Sequence, residues 1–354
     1  MTPLQEAFHY QARSCAALGS PFMARLLTTL AEVWPKDTAL ARTCDTWTGD
    51  VGPNGASLPL RIASGFHALV LSGADPELAA AYPPAETGDL AEIVKTALPR
   101  HDEHLADWVL RPPQTNEVRR SVALIPAAQV IAARFPGLPF VTSELGASAG
   151  LNMMWDRYAL DTPEGRRGPD TAALTLSPDW TGPVPPAAPL RVAARGGVDL
   201  TPLDPRYAQD RLRILSYLWP DQPERAALTR AAMETLDTAV DQGDAVDWIA
   251  HRLPRQPEGH IHLVYHTIAW QYLPPDRQAH GRALIEAAGA RATAQNPLAW
   301  LSLEHDGDSA NARGAALTLR LWPGDKGDDK GDDRGEMLAR VDFHGRWVEW
   351  LSNS

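Results

Sequence analysis

Apolar residues in the first third of the chain recur at helical intervals. In "FMARLLTTLAEVW", Phe22, Leu26, Leu30 and Val33 fall at i, i+4, i+8 and i+11, which is one face of a helix. "LAEIVKTALPRHDEHLADWVL" and "NEVRRSVALIPAAQVIAARF" continue in this style, with a kink expected at Pro126. No clear two-residue alternation precedes Pro139, so residues 1–135 are expected to form an all-helical domain. The pattern then changes. "PFVTSELG", "LRVAARGGVDL" and "HIHLVYHTI" are short β-rich runs, while "QDRLRILSYLW", "PERAALTRAAMETLDTAV" and "DRQAHGRALIEAAGA", ended by Gly289, are helical. Strands interleaved with helices predict βαβ units around a mainly parallel sheet over residues 136–354. In "AALTLRLW", Leu317, Leu319 and Leu321 alternate with Thr318 and Arg320, and "EMLARVDFHGRWVEWL" alternates similarly. These two runs predict an antiparallel hairpin that closes the sheet. A Pro-rich insertion at about 161–189 reads as an irregular flap. The expected fold class is α/β.

Composition narrows the setting. The 354 residues suit one large domain or two, and 44% hydrophobic with 22% charged content is that of a globular protein. A net charge of -11 argues against non-specific binding to nucleic acid or anionic membrane, although it leaves room for a local basic patch. No signal peptide and no apolar run of membrane-spanning length are read, so a cytoplasmic location is expected. Cys15 and Cys44 are too few for a disulfide framework or a cysteine zinc site.

The candidate chemistry centres on "FVTSELGASAGLNMMWDRY" (140–158). "GASAG" fits the nucleophile elbow of serine hydrolases, with Ser148 as the attacking hydroxyl. "ELGASAG" equally fits an acidic residue at a strand end followed by a Gly-rich turn that holds a nucleotide-like cofactor. Position separates the two. An elbow follows earlier strands that supply its oxyanion loop, whereas here everything upstream reads as helix and no HGGG-type run exists. A first strand, a Gly-rich turn and a helix N-terminus form the cofactor end of a Rossmann-like sheet. Gly146 and Gly150 would let the backbone approach a ligand, and Glu144 would meet an ammonium or a ribose hydroxyl.

The stretches "PPQTNEVRRS" (112–121), "ELGASAGLN" (144–152), "DRLRILSYLWPDQPER" (210–225), "GDAVDWI" (243–249), "VYHTIAWQYL" (264–273), "PLAWLSLE" (297–304) and "GRWVEWL" (345–351) carry a resemblance. Through them the whole chain resembles an uncharacterised bacterial family, a domain of unknown function. Its second half is in turn similar to class I S-adenosylmethionine-dependent methyltransferases. That similarity implies S-adenosylmethionine as cofactor and a small or medium polar acceptor. It places Glu144, Gly146, Ser148 and Gly150 in the cofactor loop, with serine in place of the middle glycine. Asp199, with Asp204 in reserve, would hold the ribose, although it stands 55 residues after Glu144 where roughly 20 is usual. Asp244 and Ala245 would meet the adenine. His266, at the end of the fourth strand, would be the base, with Asn116, Glu117 and Arg119 reaching in. The Asn/Asp-Pro-Pro-Tyr signature of amino-group methyltransferases is missing.

Plainer roles stand beside these. Ser148 and Asp244 are also good helix caps, Asp199 and Asp204 good turn formers, and His266 a good cross-sheet donor. Two other functions remain open: a hydrolase using Ser148, Asp244 and His266, and a non-catalytic protein that keeps the cofactor fold. His101 and His104 share a helix face without an evident third metal ligand. "GDKGDDKGDDRGE" (324–336) departs from the calcium-loop register and reads as a solvated hairpin tip.

Overall fold

A computed structural model describes residues 2–53, 55–255, 258–307, 313–324 and 335–352. Most of the acidic 324–336 stretch lies outside the described residues. By proximity the chain divides into two units, Met1–Thr115 with Pro205–Ala227, and Asn116–Asp204 with Leu228–Ser354. The division thus falls near residue 115, and the segment before Pro139 contributes a helix to the second unit.

Helices α1 (Pro3–Ala17), α2 (Pro21–Glu32), α3 (Ala39–Asp45), α4 (Leu58–Leu71), α5 (Pro76–Ala81), α6 (Leu90–Arg100) and α7 (Asp102–Trp108) belong to the first unit. Their starts follow from capping chemistry. Ser20 accepts the Met23 N–H ahead of Pro21, and Thr2 with Gln5 forms a capping box. Phe22, Leu26, Leu27 and Leu30 of α2 are fully or almost fully buried, as the 3.6-residue period demands. They join Phe8, Ile62, Phe66 and Leu98 in this unit's core. His101 Nε2 donates to the Asp75 carboxylate at 2.8 Å, while His104 approaches the Gly65 carbonyl at 3.4 Å.

The second unit begins with α8 (Ser121–Arg134), which runs as one helix through Pro126. Next come β1 (Phe140–Leu145), β2 (Ala159–Thr162), β3 (Gly165–Arg167), β4 (Thr175–Leu176), β5 (Asp179–Thr181) and β6 (Val192–Asp199). Helix α9 (Ala208–Ser216) belongs to the first unit and α10 (Pro223–Met233) crosses the division, after which β7 (Asp241–Gln242), α11 (Ala245–Arg252), β8 (Ile261–Thr267) and α12 (Pro275–Gly289) follow in the second unit. β9 (Leu298–Glu304), β10 (Ala315–Trp322), β11 (Glu336–Val341) and β12 (Trp347–Trp350) complete the order. The Pro-rich insertion is therefore not simply an irregular flap. Its strands β2 to β4 pair as a small sheet, and β5 adds to the edge of the large one.

The large sheet has the order β5-β12-β11-β10-β9-β8-β1-β6-β7. Its parallel core β7-β6-β1-β8-β9 presents third, second, first, fourth and fifth strands in turn. β1 lies centrally between β6 and β8, and the chain order reverses there. β1 and β8 are buried along their whole lengths, which explains their runs of apolar and β-branched residues. β9, β10, β11 and β12 are joined antiparallel, so the second run of the expected hairpin is split into two strands, β11 and β12, and β9 adds a further strand on the other side. One face packs Leu145, Val198, Val264, Trp270 and Trp300 against Ile249 of α11 and Ile285 of α12.

Candidate functional site

The loop after β1 is shaped by three left-handed residues, Gly146 (φ 74°), Ser148 (φ 55°) and Gly150 (φ 77°). A Cβ on Gly146 would stand 2.5 Å from the Ala269 Cβ, so this glycine is required by the loop after β8. That second loop has its own strained residue, Ile268 (φ 53°), unusual for a β-branched side chain. Ser148 and Ile268 thus flank the point where the strand order reverses. Strain of this kind is retained only where the surroundings impose it, and it concentrates at functional sites.

The loop's N–H groups are already engaged within the protein. Those of Gly146 and Ala147 donate to the Val198 carbonyl, that of Gly150 to Ala147, and that of Ser148 to Asp199 Oδ2 at 2.9 Å. Leu151 donates to Asn116 Oδ1 at 2.8 Å. The turn that follows, Leu151–Arg157, is a 3-10 helix and not the α-helix N-terminus expected from the sequence. Its first N–H, that of Leu151, is capped by Asn116.

The "TNEVRRS" segment is built into this loop from beneath. Ser121 Oγ donates to Asn152 Oδ1 at 2.8 Å, and Asn152 Nδ2 donates to the Glu117 carbonyl at 3.1 Å. Glu117 accepts the Arg119 N–H and stands 3.5 Å from Arg119 Nε. Arg120, one position beyond the expected arginine, is buried and donates to the carbonyls of Thr267 and Phe343. Asn116, Glu117 and Arg119 therefore meet near the loop, where the hydrogen bonds of Asn116 and Glu117 brace backbone.

Glu144 is the least satisfied acid of the site. It is 1% exposed, and burial, only partly opposed by the Tyr265 hydroxyl and Arg120, pushes its pKa up to about 8. Tyr265 Oη lies 3.2 Å from both Glu144 Oε2 and the Asn152 carbonyl. One phenolic proton cannot serve two acceptors. With Glu144 protonated, Glu144 donates to Tyr265 and Tyr265 donates to Asn152, so every group is paired.

Glu304, at the end of β9, has the opposite environment. Its carboxylate accepts the N–H groups of Ala269, Trp270 and Gln271 and pairs with His266 Nδ1 at 2.7 Å. Burial favours the neutral acid, but His266 and these N–H groups outweigh it and hold the pKa below its usual value. His266 Nε2 accepts the Trp300 indole N–H at 3.0 Å. With both nitrogens engaged, His266 has no lone pair for a substrate proton. In this arrangement His266 anchors Glu304 and Trp300, and neither Ser148 nor Asp244 is among its hydrogen-bond partners. Beside it, His266, Trp270, Arg282, Trp300, Ser302 and Arg320 line a cavity of about 600 Å³.

Asp199 ends β6, where its second oxygen accepts the Thr201 N–H at 2.9 Å. Asp244 caps α11 through Val246 and Asp247 and pairs with Arg277, while Ala245 is the first helical residue. The plain capping role is thus present at Asp244. Sequence reasoning missed Tyr265, Asn152, Arg120 and Glu304. All four lie inside the quoted stretches "PPQTNEVRRS", "ELGASAGLN", "VYHTIAWQYL" and "PLAWLSLE", but no spacing links them.

No helix among the described residues is long and apolar enough to cross a membrane. No curated protein matches the chain. Residues 5–350 match the family described as "Uncharacterized protein conserved in bacteria (DUF2332)", and the chain belongs to that family.

Proposed function

We propose that the second unit is a Rossmann-like, S-adenosylmethionine-dependent methyltransferase whose cofactor lies at the carboxyl ends of β1 and β6. The observation that carries this reading is the electrostatic character of the β1 loop. Gly146, Ala147, Ser148, Gly150 and Leu151 all donate their N–H groups inward, while two acidic groups, Glu144 and Asp199, stand close enough to interact. Such a loop disfavours a phosphate and suits a ligand carrying cationic and hydroxyl groups. The strand order supports the location, because open α/β sheets take ligands where that order reverses.

Such a cofactor, when bound, would supply an activated methyl group on a sulfonium. Ionised Glu144 would face its ammonium, and Asp199 would accept from ribose hydroxyls. Asp244 and Ala245 remain the adenine-side residues of this reading. The cavity beside Trp270 and Trp300 would hold the acceptor. Because His266 holds Glu304 and Trp300, the acceptor must be nucleophilic without a histidine base, as a thiolate, carboxylate or neutral amine is. Methyl transfer then rests on alignment and exclusion of water.

Calorimetry with S-adenosylhomocysteine tests the reading. Binding in the micromolar range, about -7 to -8 kcal/mol, is expected, together with no labelling of Ser148 by a fluorophosphonate. Absence of heat at millimolar ligand would end it.

A further inference from the structure

In a chain of net charge -11, "HRLPRQPEGHIH" (251–262) gathers His251, Arg252, Arg255, His260 and His262 around one acid, Glu258. The end of α11 and the 3-10 turn Leu253–Arg255 bring most of these to the starts of the parallel strands. There Val141, Ala194, Trp248, Arg252, Arg255 and His262 line a cavity of about 390 Å³. Val141 and Leu145 are four residues apart on β1, so this cavity and the switch-point loop are separated by roughly 13 Å of strand.

Arg252 Nε donates to Ser143 Oγ at 2.7 Å, and Ser143 Oγ lies 2.8 Å from His262 Nε2. Burial, reinforced by the Arg252 charge, lowers the His262 pKa to about 3, so the ring is neutral. Its buried Nδ1 has no hydrogen-bond partner among the described residues. Unmet buried polar atoms are rare, and each has an energetic penalty that a suitable partner removes.

The cationic groups around it are also uncommitted. Arg252 uses Nε on Ser143 and Nη2 on the Thr142 carbonyl, leaving Nη1 without a hydrogen-bond partner among the described residues. Arg255 is exposed and makes no ion pair among them. One acid, Asp241, also lines the cavity; its Oδ2 accepts the Trp248 indole N–H at 2.7 Å. Gly196 is matched to this arrangement, since a Cβ there would stand 2.9 Å from the Arg252 guanidinium. Trp248, with the Arg252 guanidinium stacked 4.9 Å from its ring, gives the cavity a flat apolar wall.

We propose that this cavity binds the phosphate group of a small phosphomonoester, held by Arg252 and Arg255, with the ligand's body against Trp248. Two guanidiniums and an unpartnered imidazole nitrogen, which can carry the ring's proton when an acceptor is present, line one space and suit a tetrahedral, doubly charged oxyanion. The volume exceeds that of phosphate alone and lies in the range of small-molecule sites. This site is independent of the methyltransferase reading.

Calorimetric titrations of the full chain with inorganic phosphate, glycerol 3-phosphate and citrate, against sodium chloride of equal ionic strength, test it. Phosphate should bind, and glycerol 3-phosphate should bind more tightly. Arg255→Gln, an exposed change that leaves the core untouched, should weaken both by about tenfold, equivalent to about 1.4 kcal/mol; Arg255→Lys should lose less. In protein labelled with 15N-histidine, the His262 ring nitrogen resonances should shift on addition of phosphate. Heats no larger than those with sodium chloride, unaltered affinity in Arg255→Gln, or tighter binding of citrate than of glycerol 3-phosphate would each overturn the assignment.

Discussion

Glu144 and Glu304 are two buried glutamates at the carboxyl ends of strands in one sheet, and their surroundings have opposite effects. Glu304 accepts three backbone N–H groups and a histidine, which hold it ionised. Glu144 has one shared phenol and is pushed up to about 8. The first fastens a loop. The second favours its neutral form at pH 7, and on the proposed reading a cation arriving at the loop would displace that proton. Burial alone says nothing about role; the number of donors aimed at the carboxylate separates a brace from a binding group.

Removing the brace should have the largest effect. Glu304→Ala leaves the 269–271 N–H groups and His266 without their acceptor, and should lower stability in urea by about 3–5 kcal/mol. Glu144→Gln should do the reverse, changing stability at pH 7 by less than about 1 kcal/mol, because it replaces an acid that is already neutral. Its effect should appear in S-adenosylhomocysteine affinity, lowered about tenfold or more. Equal losses of stability in the two variants would erase the distinction.

Gly146→Ala comes next. The added methyl meets Ala269, and the residue sits at φ 74°, so a loss of about 2–3 kcal/mol is expected by thermal unfolding. The cause is packing between two loops, so a severe effect at Gly146 does not by itself report on a ligand.

The pH dependence sharpens the same contrast. Glu144 has a folded-state pKa above its unfolded value of 4.5, so the folded state binds the extra proton between these two values. Its contribution is fully present below about pH 4.5 and is lost progressively as pH rises to about 8. Glu304, lowered on folding, contributes in the opposite sense, with stability present above its unfolded value and lost on acidification. Urea midpoints followed from pH 5 to 8 should fall more steeply in wild type than in Glu144→Gln. The smallest effect is expected for Ser148→Gly. Relief of its left-handed conformation, about 1 kcal/mol, is offset by the greater backbone entropy of glycine, so stability and ligand binding should both remain near wild type.

Much of this architecture was legible because it is local. The parallel core could be read from β1 and β8, whose uninterrupted burial leaves a direct imprint of apolar and β-branched residues. Gly146 and Gly150 marked a turn because the backbone there needs positive φ. The remaining features depend on distant partners. Glu304 takes its donors from residues 33–35 positions earlier, which no spacing rule anticipates. His266 was visible as a histidine at a strand end, but its commitment to Glu304 and Trp300 was not. β9 was missed as a strand, since "LAWLSLE" has little alternation when both faces are covered. In the Pro-rich insertion the prolines concealed four short strands, whose pairing is set by residues elsewhere.

The claim that Glu144 awaits a cationic ligand is tested most directly by counting protons. S-adenosylhomocysteine would be titrated into the protein at pH 7 by calorimetry, in two buffers of different ionisation enthalpy. The account predicts micromolar binding with release of nearly one proton per ligand, as the Glu144 pKa falls from about 8 on pairing with the ammonium. Glu144→Gln should abolish that release. Binding without proton release, release unchanged in Glu144→Gln, or no binding at all would contradict it.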